Sequence, residues 1–176
     1  MTHYICLRDW KRFPKFGDLA AFVLDESFRD RHDLGFEYSY DRRTKKPQFL
    51  MLRWPKFEEN PDLPIHESAT CVLIVFSPFN IPHSKRITKR GRAIGHPKIC
   101  RAEIPAIRLP ALADHRIYYR TVYYFAKEAG GLIFERSGGK ALTADEYYAR
   151  HKKIINYPFH LHLTKKDITR VPSNTF

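Results

Sequence analysis

The chain has 176 residues, 43% hydrophobic and 14% aromatic, enough for one domain with a real core and too apolar for global disorder. Lysine and arginine number 31 against 19 acidic residues, a net charge of +12, which favours an anionic partner: nucleic acid, an acidic protein or an anionic membrane face. Nothing at the start resembles the long apolar core of a signal peptide, and no run is long enough to cross a bilayer, so the expectation is a cytoplasmic protein with no membrane span.

Three cysteines, Cys6, Cys71 and Cys100, are odd in number and widely spaced, which suits neither a disulfide framework nor a zinc site. Residues 4–7 read as a first strand. Residues 16–28 read as a helix, with Leu19, Ala20, Val23 and Ser27 on one face. Residues 36–40 alternate, and with 48–54 they form an antiparallel hairpin with a long turn. Residues 70–76, TCVLIVF, are apolar at nearly every position and read as a central strand buried on both faces. A short strand fits within 99–107.

Two signals compete over 115–126. Aromatic and β-branched residues favour an extended chain, whereas AKEAGG reads as a helix end, with Gly130 in the left-handed position that ends a helix. We read a helix to about Ala129, with Asp114 as its cap. Residues 132–135 then form a short strand and Gly138 and Gly139 a turn. Thr143 and Glu146 match the T-x-x-E capping box that opens a second helix. Residues 159–163 read as an edge strand, and the tail from about 171 as loose. The fold class is α+β: a single domain over 1–176, with a mostly antiparallel sheet of about five strands and two to three packed helices.

The order helix, Gly130-Gly131, strand Leu132-Ile133-Phe134-Glu135, Gly139 turn, then Leu142, Thr143 and Glu146 resembles a pattern in immunity proteins of bacterial polymorphic toxin systems. The resemblance implies a non-enzymatic protein that neutralises a cognate toxin by direct binding, without cofactor or metal. Lys85, Arg86, Lys89, Arg90 and Arg92 form the densest basic cluster and are the candidate contacts for an acidic protein partner, with nucleic acid as the alternative. A further alternative rests on His66-Glu67-Ser68 and His162-Leu163-Thr164, which look like the paired motifs of two-histidine phosphoesterases. That resemblance implies His66 and His162 as acid and base and Ser68 and Thr164 as phosphate holders, acting on RNA-like phosphodiesters. His151, His160 and His162 lack a fourth ligand at metal-site spacing. Tyr118, Tyr119, Tyr123 and Tyr124 are expected to pack in the core.

Overall fold

A computed structural model of the chain describes residues 2–7, 15–31, 35–40, 42–43, 47–56, 60–63, 70–76, 98–103, 110–128, 130–135, 140–172 and 175–176. The strands are β1 (Thr2–Leu7), β2 (Gly35–Tyr40), β3 (Pro47–Trp54), β4 (Thr70–Phe76), β5 (Lys98–Glu103), β6 (Leu132–Phe134) and β7 (Leu142–Thr143). The α-helices among the described residues are α1 (Phe16–Val23), α2 (Leu112–Glu128) and α3 (Ala144–Ile155). The α+β class holds. The strands form one sheet of seven rather than about five, in the order β2-β3-β4-β5-β1-β6-β7, and every neighbouring pair is antiparallel.

Alternation along the strands decides which face is covered. On β3, Leu50, Leu52 and Trp54 are buried while Arg53 is exposed, the period of two that a pleated strand imposes. Register sets Leu50 opposite Ile74 and Leu52 opposite Val72, so these four form one apolar patch, joined by Ile5 of β1 and Ile133 of β6 in the main core. The opposite parity of β1 and β6, Cys6 and Phe134, is buried in a smaller cluster with Tyr4, Leu132 and Ala141.

Helix α2 is the axis of the packing. It spans 115–126, which resolves the choice there in favour of helix, and every residue from Leu112 to Tyr119 is buried. The four tyrosines follow the core expectation: Tyr118, Tyr119 and Tyr123 are buried and Tyr124 is partly so. The helix ends as its glycines predict. Gly130 has φ of 61°, its N–H donates to Lys127 O, and the N–H of Gly131 donates to Ala126 O. These two bonds are a Schellman motif. A Cβ on Gly131 would stand 3.0 Å from the Ile5 side chain, so glycine also permits the close passage of the chain against β1.

Three local expectations change. Asp114 does not cap α2 from outside. It lies in the first turn and accepts from the N–H of Ala111 at 2.8 Å, while the amides of Leu112 and Ala113 donate to the carbonyls of Thr169 and Asp167. Chain returning from 167–169 therefore satisfies donors that a side-chain cap would otherwise take. The helix expected over 16–28 stops at Val23. Asp25 then takes an extended conformation and its carboxylate accepts from Ser27 N, capping a separate 3-10 turn at Glu26–Phe28, because aspartate competes with helix by bonding its own backbone. Residues 159–163 form no strand. The side chain of Asn60 donates to Leu161 O at 2.9 Å and accepts from Leu163 N at 2.8 Å, taking backbone groups that a neighbouring strand would need.

Val171 and Phe176, in the stretch expected as a loose tail, lie against α2. Val171 O is 3.2 Å from His115 Nε2, the Tyr119 hydroxyl donates to Phe176 O at 3.2 Å, and the ring of Phe176 lies 5.3 Å from that of His115.

Candidate functional site

The basic cluster Lys85, Arg86, Lys89, Arg90 and Arg92 lies outside the described residues, as do His66 and Ser68. Of the expected phosphoesterase residues, His162 is exposed. The Thr164 hydroxyl donates to the Asp167 carboxylate at 2.6 Å, and the Thr164 N–H donates to the same oxygen at 2.7 Å. Thr164 thus opens a turn, T-x-x-D, in the manner of a helix cap. Its hydroxyl is already engaged, and the strand that would align it with His162 is not formed.

An assembly of ionisable side chains among the described residues was not anticipated from the sequence. It gathers on α2, α3, β1 and the end of β6. His3 is 4% exposed; its Nδ1 lies 2.7 Å from the Tyr118 hydroxyl and its Nε2 3.4 Å from that of Tyr147. Burial pushes the His3 imidazole down to about 3, with the charge of His151 a smaller cause. A neutral imidazole has one donor and one acceptor, which suits one tyrosine hydroxyl on each side. Burial raises Tyr119 to about 12 and lifts Tyr147 well above the usual phenol range.

His151 stands next in the chain of contacts. Its ring centroid lies 4.6 Å from Tyr119 and 4.5 Å from Tyr147, and its Nε2 meets the carboxylate of Glu135. That carboxylate also holds Arg150. The carboxylate only accepts, so Nε2 carries the proton and Nδ1 is a bare acceptor, with no hydrogen-bond partner among the described residues. The backbone of His151 departs from helical values, φ −107° and ψ 19°, and kinks α3. Burial lowers its pKa, opposed by the bond to Glu135. His3, Tyr118, Tyr119, Tyr147 and His151 are all buried; of this assembly only Glu135 and Arg150 reach the surface, with side chains 29% and 51% exposed. The network therefore fixes protons in the interior and presents solvent with one ion pair. The signal that could have found it is the parity of β1, which puts His3 on the same face as Ile5.

A second buried polar group lies at the other end of α2. Lys56 Nζ is 3.0 Å from Asp114 Oδ1, with side chains 3% and 9% exposed. Beside α2 lies a cavity of about 10 Å3 lined by Trp54, Arg116, Phe159, His160 and Asp167 among others. That is room for about one water molecule and no larger ligand.

Two arginines of α2 join the helices. Arg116 donates to the carbonyls of Tyr157, Val23 and Leu24 at 2.7, 2.6 and 3.0 Å. Arg120, one turn on, donates to Phe22 and Ile155 at 2.7 and 3.1 Å. These carbonyls lie at or beside the C-terminal ends of α1 and α3, where acceptors lack intrahelical donors and the helix dipole is negative. Burial pushes Arg116 down to about 9, helped by Arg120, and it stays charged at neutral pH.

Among the described residues, no group of three histidine, cysteine, aspartate or glutamate side chains could hold a metal ion, and no helix is long and apolar enough to cross a membrane. No protein-family model, curated protein or solved structure matches this chain.

Proposed function

We propose that this chain is a non-enzymatic binding protein for an acidic protein partner, and more specifically an immunity protein that neutralises a cognate bacterial toxin in the cytoplasm. The observation that supports a binding role is the separation of chemistry from surface. The groups suited to acid–base work are buried and engaged inside the protein, His3 with Tyr118 and Tyr147, His151 with Glu135 and Tyr119 with the Phe176 carbonyl, whereas the charge excess of +12 cannot be buried cheaply and must meet solvent or a partner. The toxin reading rests on the helix–strand–helix at 112–155, whose turn residues resemble those of immunity proteins. Lys85, Arg86, Lys89, Arg90 and Arg92 are its contacts, the arginines meeting carboxylates with two hydrogen bonds each. No cofactor or metal takes part.

The test is co-purification with the product of a neighbouring toxin gene, comparing the native chain with the Arg86→Glu, Arg90→Glu variant. Retention by the native chain and loss in the variant, at unchanged melting temperature, support the reading. A short duplex run beside it over a salt series tests the nucleic-acid alternative. Tight duplex binding with a log–log salt slope of about −4 to −5, as for five neutralised phosphates, and no retained toxin would replace it.

A further inference from the structure

The segment 157–170 carries the HLHLT motif that the phosphoesterase reading does not absorb. Its residues divide by direction. Phe159 packs on Trp54 and Phe28, with ring centroids 5.2 and 5.5 Å apart, and Leu163 is partly buried against the core. Between them Leu161 and His162 are exposed, and Leu161, at 37%, is the exposed large hydrophobic side chain of the described residues. A lone exposed leucine is ordinary on a protein surface. This one is distinguished by how its backbone is held: Asn60 binds the carbonyl of Leu161 and the amide of Leu163 together. The far side is pinned by the Thr164–Asp167 turn.

The exposed charged side chains of the segment itself have one sign. Lys165, Lys166 and Arg170 are exposed, while the one carboxylate of the segment, Asp167, is 1% exposed. His160 lies against Tyr157 at 6.3 Å, and Lys166 Nζ stands 5.5 Å from the centre of the same ring. An apolar anchor on a fixed backbone, in a segment whose exposed charges are cations, suits a protein interface with little ordering cost on binding.

We propose that the 160–166 turn is an interaction surface for an acidic protein segment, with Leu161 filling an apolar pocket of that segment and Lys165 and Lys166 meeting its carboxylates. The proposal rests on the acidic-partner reading above and adds a contact distinct from 85–92. Charge complementarity selects an acidic partner. The leucine selects a protein, because phosphates would engage the lysines and give Leu161 no apolar contact.

The experiment is a titration of the 15N-labelled full chain with three probes: a short peptide of glutamates around one leucine–phenylalanine pair, polyglutamate of equal length, and a short DNA duplex. The amides of 160–166 should shift and saturate with the first peptide. Leu161→Ser should weaken that peptide about tenfold, equivalent to about 1.4 kcal/mol, and leave polyglutamate unaffected. The Lys165→Glu, Lys166→Glu variant should lose both peptides. All three side chains are exposed, and an unchanged melting temperature shows that the variants fold. An unchanged affinity in Leu161→Ser, or a duplex that shifts the same amides more tightly than either peptide, overturns the proposal. Shifts confined to residues outside 160–166 remove this surface and leave an acidic partner standing; no binding of either acidic peptide removes both.

Discussion

Four of the described arginines use two kinds of hydrogen-bond partner, divided by depth. Arg116 and Arg120, on the buried helix α2, bind only backbone carbonyls at the ends of α1 and α3 among the described hydrogen bonds. Arg29 and Arg150, at the surface, bind the carboxylates of Asp18, Glu26 and Glu135. A buried carboxylate would add its own desolvation penalty, whereas helix-end carbonyls are buried in any case and need donors. Arg116 and Arg120 thus act as cross-links held by neutral acceptors, in contrast to the buried Lys56–Asp114 ion pair at the start of α2. At the surface, paired charges are screened and contribute little.

Removing a cross-link is the most damaging way to sharpen that contrast. Arg116→Ala leaves three carbonyls without their donor, and each unsatisfied buried group costs about 1–3 kcal/mol. The expected loss is about 3–5 kcal/mol in chemical denaturation. Arg116→Lys should recover little, because an ammonium cannot span three carbonyls with the geometry of a planar fork. A loss below about 1 kcal/mol in the alanine variant would show that the carbonyls find other partners and that α2 does not tie the helices together.

The next test concerns the interior histidines. His3 is held at about 3 when folded, against 6.5 for a free imidazole, and burial also lowers His115 and His151. The native state takes up protons on these rings less readily than the unfolded chain does below 6.5. Their contribution to stability is therefore complete above about pH 7 and falls as pH drops below 6.5, for His3 down to about 3. His3 alone should contribute a slope of about 1.4 kcal/mol per pH unit, with His115 and His151 adding to it in the same direction. The measurement is unfolding free energy at several pH values between 7 and 4.5. In His3→Gln the slope should fall by one proton, whatever the variant does to stability at neutral pH. Equal slopes in the two proteins would mean that His3 is protonated or exposed.

How far the sequence foretells this arrangement depends on the range of the interaction. Signals carried within a few residues are legible: the Gly130 helix end, the Thr143–Glu146 box, and the β2–β3 hairpin all form as read. The T-x-x-D at Thr164–Asp167 has the same local form as T-x-x-E, but it follows directly on 159–163, whose composition favours a strand. Long-range contacts left no such mark. Nothing around Arg116 says that it meets carbonyls over ninety residues away, and nothing around Asn60 says that it will occupy the backbone of residues 161 and 163. Of the candidate sites, 85–92 and His66–Ser68 lie outside the described residues, and the buried histidine–tyrosine assembly needs the packing of three elements to exist.

The two capping turns give a smaller effect that separates local from tertiary contributions. Thr143→Ala should cost about 0.5–2 kcal/mol, and Thr143→Ser much less, because serine retains the acceptor for Glu146 N–H. Thr164→Ala should reach the upper part of that range. Its turn also positions the Asp167 carbonyl that receives the N–H of Ala113 at the start of α2, so loosening the turn exposes a second helix end. Chemical denaturation of the three variants orders them. Equal losses for Thr143→Ala and Thr143→Ser would remove the cap, and a smaller loss for Thr164→Ala than for Thr143→Ala would remove the link between the turn and α2.

The smallest expected effect lies at the surface end of the comparison. Arg29 bonds two carboxylates, Asp18 and Glu26, and on a contact drawing it resembles Arg116 as a bridge. The physical difference is water. The Arg29 side chain is 41% exposed, and those of Asp18 and Glu26 are 45% and 72% exposed, so all three can be solvated when the pairs break. Arg29→Ala should therefore leave the melting temperature unchanged within error at physiological salt. Any small loss seen at low ionic strength should vanish as salt is added, because screening acts on exposed pairs first. Arg116→Ala should show no such salt dependence, since its partners are neutral and buried. A salt-independent loss in Arg29→Ala comparable with that of Arg116→Ala would mean that the Arg29 guanidinium also acts as a structural cross-link, and depth would no longer separate the two kinds of arginine.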